Sequence, residues 1–226
     1  MLRRKLAGLA ATALFGFATS ASAGTITVDN VQLPYAESVN LNGFVDGASF
    51  SDNNQLAGQI VFTAHDAGST NQYMLGVWCV DIFHDIYLGS SGERYSQGAL
   101  STDNDASHPT ALSSLQISEI AALASYGNAL MQSSPSNQTS AEVQAAIWTV
   151  EYNGGGNSLA VTGGSFTATD IGNLIAAAAK AGGSAGQLIA LDGTQAQVYV
   201  PVPEPAALAL LATGLFGIGA VRRRKA

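Results

Sequence analysis

The chain has 226 residues, a formal net charge of −7, one cysteine and 25 glycines, with 47% of residues hydrophobic and 11% charged. This length fits one or two domains with a sizeable core, and the hydrophobic fraction is too high for a disordered chain. A single cysteine excludes a disulfide-stapled scaffold and a cysteine-rich zinc site, and three dispersed histidines leave little for a metal centre, so neither metal nor cofactor is expected.

Residues 1–23 have the three parts of a secretory signal. Arg3, Arg4 and Lys5 form a basic start, an apolar run follows from Leu6 to Ala18, and Ala21-Ser22-Ala23 supplies small residues for cleavage. The mature chain is expected to begin at Gly24.

Between residues 24 and 200 the pattern is of strands, then helices. Thr25–Val28, Leu41–Val45 and Gln59–Thr63 have β character, and Tyr73–Phe83 is a long apolar run suited to a central strand. Gly89–Ser107 is polar and reads as a loop. Apolar residues recur at helical spacing over Ile117–Met131. A polar break with Pro135 precedes a second helix, for which Thr139 and Glu142 form a capping box. In that helix Val143, Ala146, Ile147 and Val150 make a core-facing stripe, and Asn153-Gly154-Gly155-Gly156 ends it. A third helix is expected from about Thr169 to Ala181, and Gln195–Val200 closes as a strand. The expected fold is α+β: an antiparallel β-rich domain with two or three packed helices, flanked by a cleavable signal peptide and a C-terminal hydrophobic helix.

The C-terminus supplies that last element. Val202-Pro203-Glu204-Pro205 is followed by an uncharged stretch, 206–221, and then by Arg222-Arg223-Arg224-Lys225. At the helical rise the stretch spans about 24 Å, somewhat less than a bilayer core. It is expected to insert as a transmembrane segment with the basic cluster inside and the main domain outside the cytoplasm. Residues 201–226 closely resemble the PEP-CTERM sorting signal of Gram-negative bacteria, carried by Pro203, Glu204 and Pro205, the apolar span, and Arg222, Arg223 and Arg224. The resemblance implies membrane anchoring before processing by exosortase, then residence at the cell surface or in an extracellular, exopolysaccharide or biofilm matrix.

Without its two ends the chain keeps only Arg94 and Lys180 against fifteen acids. Such a surface repels nucleic acid, because phosphate binding needs clustered Lys and Arg. Asp103-Asn104-Asp105 begins like a calcium loop, but His108 and Ser114 occupy the positions where an EF-hand needs glycine and an acid. Gly154-Gly155-Gly156 follows a helix and lacks the Lys-Ser/Thr ending of a phosphate cradle.

The lone cysteine, Cys79, lies in Trp78-Cys79-Val80-Asp81 on the most apolar strand. A free cysteine there is a small buried hydrophobe, a nucleophile or half of an intermolecular disulfide, and composition leaves all three open. Asp81, two residues on, shares the strand face of Cys79 and reads as an orienting group or a solvated edge residue. His84 falls on the opposite face of an ideal strand, and His65 and His108 read as surface loop residues.

Gln144-Ala145-Ala146-Ile147-Trp148 matches the Gln-x-Ala-Ile-Trp pattern of bacterial surface thioester domains, and Trp78-Cys79-Val80-Asp81 resembles their cysteine motif, which more often has Tyr in place of Trp78. Within the ectodomain, 24–200, the resemblance covers about residues 40–200, with only these two motifs sharp. It implies an internal thioester between Cys79 and Gln144, supported by Trp78, Asp81, Ala146, Ile147 and Trp148. Attack by an amine-bearing surface or matrix partner would then crosslink Gln144 and release Cys79. Such a module is a single-turnover covalent binder in adhesion or matrix crosslinking, not an enzyme. On this reading Gln144 sits in the first turns of its helix, where the N-terminus favours developing negative charge, and Trp148 screens it from water. The alternative is a structural, matrix-associated surface protein with an inert buried cysteine.

Overall fold

The computed structural model describes residues 24–100 and 112–201. The signal peptide at 1–23, the Asp103–Asp105 segment, His108 and the 206–221 span lie outside the described residues.

The fold begins with an unusually long antiparallel hairpin. Strand β1 runs Thr25–Val45 and β2 runs Ala48–Asp66. Asp46 and Gly47 make the turn at φ 50° and 83°, the left-handed pair that a two-residue hairpin of matching twist requires. The β1–β2 register shifts between Val28 and Asn30, Gln32 and Tyr35, and Val39 and Leu41. The middle shift contains Pro34, which has no N–H to give the ladder and is tolerated where an irregularity interrupts pairing. Extra residues of this kind bend and twist a strand, so the two halves of the hairpin pair with different strands of one sheet.

The first half closes a barrel. Strands β3 (Gln72–Cys79), β4 (Arg94–Ala99), β6 (Gly186–Ala190) and β7 (Gln197–Tyr199) complete the order β2-β3-β7-β6-β4-β1, and β1 pairs back onto β2. Every pairing is antiparallel. Small barrels are filled by their own side chains. Here Ile26, Val28, Phe62, Val77, Tyr95 and Leu188 form that filling, with Phe62 and Tyr95 rings 5.4 Å apart.

The second half of the hairpin carries β5 (Ser158–Gly163) on the outer side of β1 and lies under three helices, α1 (Ser114–Ser133), α2 (Asn137–Glu151) and α3 (Ala168–Ala181). Val39, Leu41, Leu159 and Val161 from this sheet meet Trp78, Ile120, Leu123, Val143 and Ile147 in a second apolar cluster. Helix α2 is central: it packs against α1, α3 and strands β1, β2, β3 and β5. Ten of its fifteen residues are buried, so it is enclosed nearly all round.

This corrects the expected fold class. The described residues hold more strand than helix and form a closed six-stranded antiparallel barrel with an appended strand and three helices, in place of the expected α+β domain. Among the described residues no helix is long and apolar enough to cross a membrane. The expectation missed three strands. Arg94–Ala99 lies in the polar, glycine-containing stretch expected as a loop, yet β1 and β6 pair with both its edges. Such pairing overrides weak local preference. Strands β5 and β6 are likewise fixed by their neighbours.

The helices lie close to their expected positions, but α2 starts earlier. Its cap is Ser136, whose Oγ accepts from Thr139 N at 3.0 Å, so Thr139 lies inside the helix and the Thr139–Glu142 capping box does not exist. Capping boxes do hold α1, through Ser113 and Gln116, and α3, through Thr167 and Asp170.

Candidate functional site

The site forms where β3 runs out. Pairing between β2 and β3 ends at Ile60 and Val77, because β2 bends away toward the helices, where Gln59 N donates to Ser140 Oγ of α2 at 2.7 Å. On its other edge β3 continues against β7, with Cys79 opposite Gln197 and Val80 N donating to Ala196 O. Cys79 therefore keeps its strand geometry while losing its β2 neighbour.

Gln144 fills the gap. Cys79 N donates to Gln144 Oε1 at 2.9 Å, and Gln144 Nε2 donates to Cys79 O at 2.8 Å. The side-chain amide thus replaces one strand residue. Cys79 is 2% exposed and Gln144 1%, so both hydrogen bonds are made in a medium where an unmade one is costly. The two residues are 65 positions apart in the chain, and the fold brings them together.

The sulfur faces elsewhere. Cys79 Sγ donates to Asp81 O at 3.0 Å and accepts from Asp81 N at 3.3 Å, across the turn that ends the strand. Burial pushes the thiol pKa well above its ordinary value, and the Asp81 and Glu151 carboxylates act in the same direction. A buried thiol without a nearby cation stays protonated at neutral pH.

Asp81 is 2% exposed and is not a solvated edge residue. Its Oδ1 accepts from Phe83 N and His84 N, and its Oδ2 lies 2.7 Å from His84 Nδ1. Because β3 stops at Cys79, the chain turns and returns His84 to the aspartate, so the opposite-face geometry of an extended strand does not apply. Gln195 Nε2 closes the turn on Asp81 O and His84 O, both at 3.0 Å. His65, expected in a loop, stands on β2 with Nδ1 2.9 Å from Asp29 Oδ2.

The remaining motif residues surround the pair. Trp78 is fully buried and donates from Nε1 to Asn128 Oδ1 of α1, which also accepts from Gln59 Nε2. Ala146 and Ile147 are fully buried in the helix-covered cluster. Trp148 is 4% exposed, and its buried Nε1 has no hydrogen-bond partner. Gln144 lies in the middle of α2, since the helix begins at Asn137. The dipole of a helix end acts over its first turn, so the expected help from the N-terminus does not reach it.

Sequence reading missed Tyr152. Its hydroxyl accepts from Ile82 N at 3.4 Å, and burial followed by the neighbouring Glu151 pushes its pKa well up. The signal was present: Gln144, Trp148 and Tyr152 are spaced by fours, one stripe of a helix. Gln197 was also missed; it is fully buried opposite Cys79, and its Oε1 has no partner. Among the described residues no group of His, Cys, Asp and Glu is placed to hold a metal ion.

No curated protein matches the chain, and no solved structure does. A family model for the PEP-CTERM protein-sorting motif matches residues 201–225. That match carries Pro203, Glu204, Pro205 and the basic cluster, and it marks the chain as an exosortase substrate, exported and surface-targeted in a Gram-negative bacterium.

Proposed function

We propose that the ectodomain is a covalent attachment module whose Cys79 and Gln144 form an internal thioester. The observation that carries this reading is the seating of the Gln144 amide on both peptide groups of Cys79 in a site closed to water. Rotation of the Cys79 side chain away from Asp81 turns its sulfur toward the Gln144 carbonyl carbon. Attack forms the sulfur–carbon bond and breaks the carbon–nitrogen bond, and the thiol proton leaves with the amide nitrogen as ammonia. An amine on a surface or matrix partner then attacks the same carbon. The new amide joins Gln144 to the partner, and the amine proton ends on the Cys79 sulfur. The protein acts once and does not turn over. Burial protects the acyl group from hydrolysis until the partner arrives.

A second reading has its own support. Both polar atoms of Gln144 are satisfied by Cys79, so the glutamine can serve solely as a bracket for a strand end. The protein is then an exported matrix or surface component with an inert cysteine. Intact mass separates the two. The thioester requires fresh protein one ammonia lighter than its sequence, a deficit absent from Cys79→Ala and Gln144→Ala, and a methylamine adduct on Gln144 with release of one thiol. Full mass with a free Cys79 in fresh protein selects the bracket.

A further inference from the structure

Three contacts lay α2 alongside the end of β3. Gln144 grips the peptide of Cys79, and Tyr152, two turns further along the same face, takes the N–H of Ile82. Trp148 stands between them, one turn from each. That spacing sets its side chain alongside the stretch from Cys79 to Asp81, where the sulfur lies. Its Nε1–H is buried and has no hydrogen-bond partner. Buried indole N–H groups are normally paired, and an exception calls for an explanation.

We propose that the Trp148 indole N–H is the donor that receives the Cys79 sulfur when it carries negative charge, as the attacking thiolate and again as the group an amine displaces. The inference rests on the attachment chemistry above for its use, but the contact itself does not depend on a thioester having formed. The Asp81 N–H already donates to the sulfur at 3.3 Å and favours the thiolate, while burial and the nearby carboxylates disfavour charge there. The Asp81 carboxylate from the turn after β3 and the Glu151 carboxylate from α2 both raise the thiol pKa, while the phenols of Tyr95 on β4 and Tyr152 stay protonated, their own pKa values raised by burial. Trp148 opposes them, favouring the thiolate. A neutral N–H suits the task because it carries no proton that the sulfur could take and no charge that would need a partner while the thioester is intact. Hydrogen bonds to ionised groups are the strong ones.

Two features of the composition make the test clean: the chain has one cysteine and two tryptophans. With 13C-labelled cysteine, the Cys79 Cβ resonance reports ionisation directly. It is followed against pH in protein opened by methylamine, and in the same protein carrying Trp148→Phe, which keeps the ring plane and removes the donor. The midpoint should rise by about one pH unit in the variant, a tenfold loss of thiolate at a given pH. An unchanged midpoint overturns the proposal. If fresh protein already holds a free thiol, the thioester reading fails, and the same titration is run without methylamine. The second measurement needs no change at Trp148. The indole N–H resonance of Trp148 should move between wild type and Cys79→Ala while that of Trp78, held by Asn128, stays in place. A Trp148 resonance indifferent to the loss of sulfur also overturns the proposal, even if the phenylalanine variant does not fold.

Discussion

The bracket made by Gln144 has an energy that can be worked from its geometry. In a Cys79→Ala background no thioester can form, and the backbone of residue 79 still offers the same N–H and C=O. Adding Gln144→Ala there removes two hydrogen bonds of 2.9 and 2.8 Å. It strands a donor and an acceptor in a site where Gln144 itself is 1% exposed. Each stranded group costs about 1–3 kcal/mol. The vacated space adds roughly 1 kcal/mol or more, since the surrounding α2 packing relaxes only in part. The double variant should therefore be about 3–7 kcal/mol less stable than Cys79→Ala alone, a large share of the roughly 5–15 kcal/mol that holds a typical domain. Urea unfolding followed by tryptophan fluorescence measures this, because Trp78 and Trp148 both lie in the helix-covered cluster. A difference below about 1 kcal/mol would mean that water or a rearranged strand satisfies Cys79 without help, and the description of Gln144 as a substitute strand residue would be wrong.

Two further expectations follow from packing and from titration. Gly127 of α1 sits where an added Cβ would come 2.5 Å from Val143 Cγ1 and 2.9 Å from Trp78 Cζ2. Gly127→Ala should lose about 1–2 kcal/mol, overpacking outweighing the helix propensity gained. Gly172→Ala in α3, with nothing within 4 Å, should be neutral or gain up to about 1 kcal/mol in the same urea assay. At high pH the buried phenols set the trend. Burial raises the pKa of Tyr73, Tyr95, Tyr152 and Tyr199, with Tyr95 pushed up to about 12. The folded state therefore holds these protons more tightly than the unfolded chain. Their contribution is complete below about pH 10 and is lost as pH rises through the folded values. Unfolding free energy should fall between about pH 10 and 12, and Tyr95→Phe should reduce that slope by up to about 1.4 kcal/mol per pH unit. A flat profile would show that the phenols ionise without strain.

How legible this was in the sequence depended on whether a signal was local. The helices were legible because 3.6-residue periodicity and polar caps lie within each segment. The start of α2 was misplaced because Ser136 and Thr139 are both good caps, and only the extended backbone at Ser136 decides between them. The barrel was illegible for the opposite reason. Arg94–Ala99 and Gly186–Ala190 carry no alternation, and their strand state comes from partners about 70 and 90 residues away. Asp46-Gly47, flanked by β1 and β2, was a readable hairpin turn whose significance only the paired strands make plain. At the site, motif resemblance singled out Cys79 and Gln144, and the fold places one against the other. The burial of Asp81 and its contact with His84 could not be read, because both depend on where β3 stops.

The same dependence explains why a site of this kind belongs on packed elements. The proposed thioester between two side chains would tolerate little error in their separation, on the order of half an ångström for a productive constellation. Cys79 is fixed by the β7 ladder on one edge and by Gln144 on the other. Gln144 is fixed by a helix that touches both neighbouring helices and four strands. That helix is tied in turn to β2 through Ser140 and to the turn after β3 through Tyr152. The bend of the long hairpin is what makes this possible. Had β2 stayed paired with β3 beyond Val77, its backbone would occupy the edge of Cys79, and no glutamine could reach it. The irregular register around Pro34 thus has a chemical consequence at a position 45 residues further along the chain: it leaves one strand residue open, and an amide side chain takes its place.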